Sequence, residues 1–166
     1  SKFIDVIIPR GGKSLVKKVQ SLSNIPTIGH LEGVCHSYVD KDANPEIAKN
    51  LIHNAKLRNT AICGATETIL FHEKIIQKFG NSILKNLQDN GCKIIGDNKI
   101  KKLYKGKIQK ATIKDWSKEY LSATVSVKSV KNLEEAIMHI NKYGTMHTDC
   151  IITQNKKSAK KFLNEV

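Results

Sequence analysis

Three short stretches of this sequence bring together residue types that can do chemistry. The first is Arg58-Asn59-Thr60-Ala61-Ile62-Cys63-Gly64-Ala65. Its cysteine lies among small residues, between a helical and a strand-like pattern, with room for a substrate carbonyl to approach. A thiolate is a strong nucleophile and nearby cations favour it; Lys56 and Arg58 are the candidates. The same residues also suit a small buried cysteine. The second stretch is Arg10-Gly11-Gly12-Lys13, where backbone N–H groups ahead of a helix can hold an anion. It is neither a Walker loop nor the dinucleotide-binding glycine fingerprint, and it equally suits a tight strand-to-helix turn. The third is the polar loop Tyr143-Gly144-Thr145-Met146-His147-Thr148-Asp149. Its His147 and Thr148 can meet a ligand at a strand end or simply finish a capped turn.

The elements that must position these loops follow from periodicity. Residues 3–9 predict a short apolar strand, residues 14–22 a helix, and residues 24–28 and 33–39 two more strands. Pro45 suits the first turn of a helix over 45–57, with Ile47, Leu51, Ile52 and Ala55 at helical spacing. Residues 67–71 predict a strand, and 73–79 and 82–90 are helical, stopped at Gly91. A strand at 92–95 is followed by a lysine-rich connection over 97–110. Strand 124–130, helix 133–143 closed by Gly144, strand 149–153 and helix 156–166 complete the chain. Such alternation implies an α/β fold with a mostly parallel sheet flanked by helices.

Composition narrows the function classes. The chain has 166 residues, 40% hydrophobic and 26% charged, which suits one domain over 1–166 with a proper core. No apolar run reaches membrane-spanning length and no signal peptide is evident, so a cytoplasmic protein without a membrane partner is expected. Cys35, Cys63, Cys92 and Cys150 are widely spaced without a CxxC pair, so neither a disulfide framework nor a metal site is expected. The net charge of +13 raises a basic nucleic-acid binder as a competing class. The lysines are scattered rather than gathered into a patch, however, and aromatics make up only 5%, so no nucleic-acid partner is expected.

Taken together, the three loops resemble the gamma-glutamyl phosphate reductase family of the aldehyde dehydrogenase superfamily. The most specific part is C-terminal: Val130, then Ala136-Ile137-Met138-His139-Ile140, then Tyr143 through Ile151, match the family signature. The segments IIPRGGKSL, HLEGVCHSYVDKDAN and NAKLRNTAICGATETIL resemble family segments in the family's order, so the resemblance covers essentially the whole chain. It implies an aldehyde-dehydrogenase-like catalytic domain with Cys63 as nucleophile and the Cys63 N–H as part of an oxyanion hole. It implies NADPH as cofactor, L-glutamyl 5-phosphate as substrate and a place in proline biosynthesis.

Glu119 falls where the superfamily has a glutamate that binds the nicotinamide ribose, although Ser122-Ala123-Thr124 departs from a pattern in which proline is usual. Arg10, Gly11, Gly12, His147 and Thr148 are the candidates for holding the substrate's phosphate or carboxylate. Hydrolytic relatives carry a water-activating glutamate two residues before the first glycine. Here that residue is Pro9, which cannot act as a base. The resemblance starts partway into the family's chain, which places most of the cofactor-binding domain outside these residues. A homo-oligomer or a separate cofactor-domain chain is then the expected partner. A non-catalytic remnant or interaction module of the same fold is the alternative.

Overall fold

The computed structural model describes residues 3–166. Its strands are β1 (Cys35–Val39), β2 (Thr66–His72), β3 (Lys93–Gly96), β4 (Ile108–Lys110), β5 (Thr124–Val130) and β6 (Asp149–Ile152). They form one sheet in the order β4-β3-β5-β2-β1-β6, and every pairing is parallel. Parallel neighbours need crossover connections. Helix α1 (Lys13–Leu22) precedes the sheet, and α2 (Pro45–Leu57) carries the chain from β1 to β2. A bent segment links β2 to β3: α3 (Glu73–Ile75), a π turn (Ile76–Gly80) and α4 (Asn81–Asp89). The short α5 (Asn98–Leu103) lies between β3 and β4, α6 (Leu133–Tyr143) between β5 and β6, and α7 (Lys156–Glu165) ends the chain.

The sheet is covered on both faces. Val39, Ile52, Ile69, Phe71, Leu84, Leu87, Val125 and Val127 belong to one apolar cluster, and Tyr38, Leu70, Ala136, Ile140 and Phe162 to another. Every residue of β1 and β2 is buried, as expected of central strands in a doubly covered sheet. Local signals start the helices. Asn44 Oδ1 accepts the Ile47 N–H of α2 with Pro45 in the first turn, and Asn132 and Asn155 cap α6 and α7 in the same way.

The predicted helices over 45–57 and 133–143 and the strand over 124–130 appear with those bounds. Three expectations change. Residues 3–9 do not join the sheet: Phe3, Ile4, Val6 and Ile8 are exposed, and the segment makes one parallel bridge, Ile7 to Thr27. The strand expected over 24–28 is the other half of that bridge. A lone pair of short segments has no third strand or covered face to stabilise it as sheet. The lysine-rich connection over 97–110 resolves into α5, capped by Asp97 Oδ1 on the Ile100 N–H (2.8 Å), and the edge strand β4.

The third change concerns the face of α2. Ile47 and Leu51 are half exposed, and the buried positions are Ala48, Ile52 and Lys56. Lys56 is fully buried and its ammonium donates to Glu67 Oε2 at 2.7 Å, beneath the start of β2. Burial is the main influence on Glu67 and pushes its carboxyl above the usual range, opposed by Lys56 and by backbone N–H donors. Lys56→Met leaves that carboxylate without its cation and should cost about 3–5 kcal/mol in urea unfolding, whereas Lys56→Met with Glu67→Leu should recover most of the loss. In the single variant Glu67 binds its proton more tightly folded than unfolded. Its stability deficit should therefore shrink as pH is lowered towards about 5 and grow as pH rises, measurable as a pH series of unfolding curves.

Candidate active site

All six strands run parallel, so the loops entering them meet along one edge of the sheet. Four of these loops carry candidate residues or their immediate contacts: Gly33 before β1, Cys63 before β2, residues 119–121 before β5, and His147 and Thr148 before β6. Ligands in open α/β sheets usually bind outside the carboxyl ends of the strands. Here the candidate residues gather at the amino ends.

Backbone and side-chain bonds tie these loops to one another. Glu119 Oε1 accepts the Gly33 N–H (2.9 Å), Thr145 Oγ1 accepts the Val34 N–H (3.0 Å), and Glu67 Oε1 accepts the Leu121 N–H (3.2 Å). Leu121 adopts a positive φ of 49°, a conformation that costs a non-glycine residue energy and that its neighbours here impose. The thiol of buried Cys35 donates to the Cys63 carbonyl oxygen (3.1 Å). Gly33 passes so close beneath this loop that a methyl group on it would sit 2.0 Å from the Cys63 carbonyl oxygen. Only glycine permits that approach.

Cys63 itself is partly exposed and lines a cavity of about 380 Å³. Pro9, Arg10, Gly11, Gly12, His30, Glu32 and Glu119 share its walls. Gly11 has φ +147°, and Gly12 opens α1, accepting the Leu15 and Val16 N–H groups, so the amino end of that helix reaches the cavity. Lys13 pairs with Glu32 at the rim. Of the residues singled out by sequence, the cavity unites Arg10, Gly11, Gly12, Cys63 and Glu119. His147 is not on its wall, yet one ring nitrogen of His147 lies within 4.8 Å of Cys63 Sγ, and Thr148 Oγ1 is 2.8 Å from His147 Nδ1.

Two residues beside Cys63 escaped sequence reasoning. His30 stacks edge-on against His147, ring centroids 4.3 Å apart, and Cys35 lies under the Cys63 loop, 3.8 Å from His147 Nδ1. Both lie within the HLEGVCHSYVDKDAN segment, whose residue spacing carries no signal for either position. Lys56, by contrast, cannot assist the thiol as expected, because its ammonium is sequestered against Glu67 in the core. Burial, with a smaller effect from Asp149, pushes the Cys35 thiol up to about 12, and burial pushes Cys92 up to about 11. Both stay protonated and inert near neutral pH.

No protein-family model matches the chain. Its sequence is 47% identical over 163 residues to the gamma-glutamyl phosphate reductase of Bartonella tribocorum, covering 98% of this chain and 39% of that protein. The crystal structure of gamma-glutamyl phosphate reductase from Thermotoga maritima superposes with a TM-score of 0.94 at 37% identity, over 99% of this chain and 40% of that one. Over its whole length, the chain is homologous to part of gamma-glutamyl phosphate reductase. It spans about two fifths of the length of the curated relatives it matches. Betaine aldehyde dehydrogenase of Staphylococcus aureus, solved with NAD+, shares the fold at 14% identity and a TM-score of 0.73, covering 98% of this chain and 42% of that one. The parallel sheet flanked by helices is thus the aldehyde-dehydrogenase-like one.

With Cys35 and Cys92 buried as protonated thiols, a mild alkylating agent at about pH 7.5 should label Cys63 well ahead of both, read by peptide mass mapping. Gly33→Ala should slow Cys63 labelling at least tenfold at unchanged far-ultraviolet circular dichroism, because the added methyl must push the Cys63 peptide out of place.

Proposed function

We propose that residues 1–166 are the cysteine-bearing catalytic domain of an acyl-phosphate reductase that converts L-glutamyl 5-phosphate to L-glutamate 5-semialdehyde in proline biosynthesis. The observation that carries this reading is the single cavity lined by Cys63, Arg10, the Gly11-Gly12 turn and Glu119. In this reading Cys63 Sγ attacks the acyl carbon, the bond from that carbon to the phosphate oxygen breaks, and phosphate leaves a thioester on Cys63. The Cys63 N–H stabilises the oxyanion as it forms. Arg10 and the Gly11-Gly12 turn hold the phosphate, while His147 and Thr148 hold the rest of the substrate. Pro9 lines the same cavity and offers no base to activate water, so the thioester is spared hydrolysis.

Glu119 suits a cofactor's sugar. A carboxylate anchored through one oxygen by the Gly33 N–H is the acceptor that a pair of ribose hydroxyls requires. NADPH, when bound there, would supply the hydride that takes the thioester to the aldehyde. The remainder of that cofactor's site belongs, in this reading, to a cofactor-binding domain in a longer chain or a partner chain, in the cytoplasm. Among the described residues, no helix is long and apolar enough to cross a membrane.

The acyl half-reaction tests the proposal without any cofactor. Mixing the chain with an acyl phosphate should release one equivalent of phosphate per chain and leave an acyl adduct that maps to Cys63, and Cys63→Ala should abolish both. Release of phosphate without an adduct, or an adduct on another cysteine, would sink the reading. In an enzyme that includes the cofactor-binding domain, His147→Ala should raise the KM for the acyl phosphate or lower turnover, and Glu119→Gln should raise the KM for NADPH.

A further inference from the structure

His30, Cys63 and His147 come from three different loops and converge at the mouth of the cavity. One ligand atom of each, a ring nitrogen or the thiol sulfur, lies within 4.8 Å of the other two. We infer that this triad is a binding site for a thiophilic divalent cation, Zn2+ being the natural occupant, and that the bound ion masks the Cys63 thiol. The second part rests on the reading of Cys63 as nucleophile; the first does not.

The donor set selects the metal. Two neutral imidazoles and one thiolate match the borderline-soft preference of Zn2+ and offer nothing to Mg2+ or Ca2+, which require oxygen ligands. Zn–S and Zn–N bonds of roughly 2.3 and 2.0–2.1 Å place the ligand atoms of a tetrahedral site roughly 3.3–3.6 Å apart. The widest separation in the triad must therefore close by up to roughly 1.2–1.5 Å. His30 is exposed and can turn to do so, while His147 is already held by Thr148 Oγ1 at 2.8 Å. Such a hydrogen-bonded partner fixes ring orientation at metal sites. The edge-on packing of His30 on His147, at 4.3 Å and 84°, keeps the two rings together. Three protein ligands leave a fourth position for water.

Binding involves no redox change. The Cys63 thiol loses its proton to solvent, its sulfur forms the bond to Zn2+, and both imidazoles donate nitrogen lone pairs. One proton leaves per ion bound. Coordination draws electron density from the sulfur and places the ion and its other ligands in the path of an acyl carbon, so the ion should slow acylation reversibly.

Co2+ provides the test, because a thiolate-bound tetrahedral Co2+ is coloured. Titrating the reduced, metal-free chain with Co2+ should give a thiolate charge-transfer band saturating at one ion per chain, displaced by Zn2+. Cys63→Ser should lose the band, and His30→Ala or His147→Ala should weaken binding at least tenfold. Cys35→Ser should keep the band, which separates the two sulfurs near His147. Circular dichroism checks that each variant is folded. Absence of the band, or its survival in folded Cys63→Ser, overturns the site. Alkylation of Cys63 and its acylation by an acyl phosphate, measured with a chelator present, report on the nucleophile independently. A band without acylation removes only the proposed reaction; acylation without a band removes only the metal site.

Discussion

The buried ion pair between Lys56 and Glu67 is the interaction on which the candidate site rests. It joins the last turn of α2 to the start of β2, and the loop that carries Cys63 is the stretch of chain between those two anchors. Glu67 uses both oxygens: Oε2 takes the Lys56 ammonium, and Oε1 accepts the Leu121 N–H. The same carboxylate thus ties down the loop before β2 and the loop before β5, which carries Glu119. A charge pair this deep adds little net stability, since desolvation offsets most of the attraction. What it provides is position, because a carboxylate unpaired at this depth would be far worse than a paired one.

Other buried carboxylates repeat the device around the sheet. Asp149 accepts both the backbone N–H and the Nδ1 side of His36, at 2.8 and 3.1 Å, joining β6 to β1 below His147. Asp97 accepts from Ile100 and Ser129, joining the start of α5 to the end of β5. Asp40 accepts from Tyr38 and Thr153 at the other end of β1. Asp149 and Asp97 satisfy backbone donors at the ends of β1, α5 and β5, while Asp40 takes two side-chain hydroxyls. The resulting frame holds the Cys63 loop over Gly33 at a distance that admits no side chain.

Much of this was legible in the sequence. Asparagine caps, Pro45 and the spacing of apolar residues place α2 and α6 correctly, because those signals act within a single element. The apolar face of α2 was misplaced for the converse reason. Lys56 reads as a surface residue until its partner, eleven positions on, is brought beneath it. Residues 3–9 read as a strand because their composition is apolar, but among the described residues the segment makes only the bridge from Ile7 to Thr27.

Residue types and motif order alone determined that this chain carries a candidate nucleophile at Cys63, a candidate anion-holding turn at Arg10-Gly11-Gly12 and an α/β sheet to support them. Only the tertiary structure decided that these groups share one cavity, that the cavity lies at the amino ends of the strands, and that His30 and His147 flank the thiol. The reason is physical. Local signals fix where elements begin and end, whereas contacts between loops far apart in the chain depend on strand order and direction. Those in turn are set by how buried surfaces and buried charges are matched across the whole sheet.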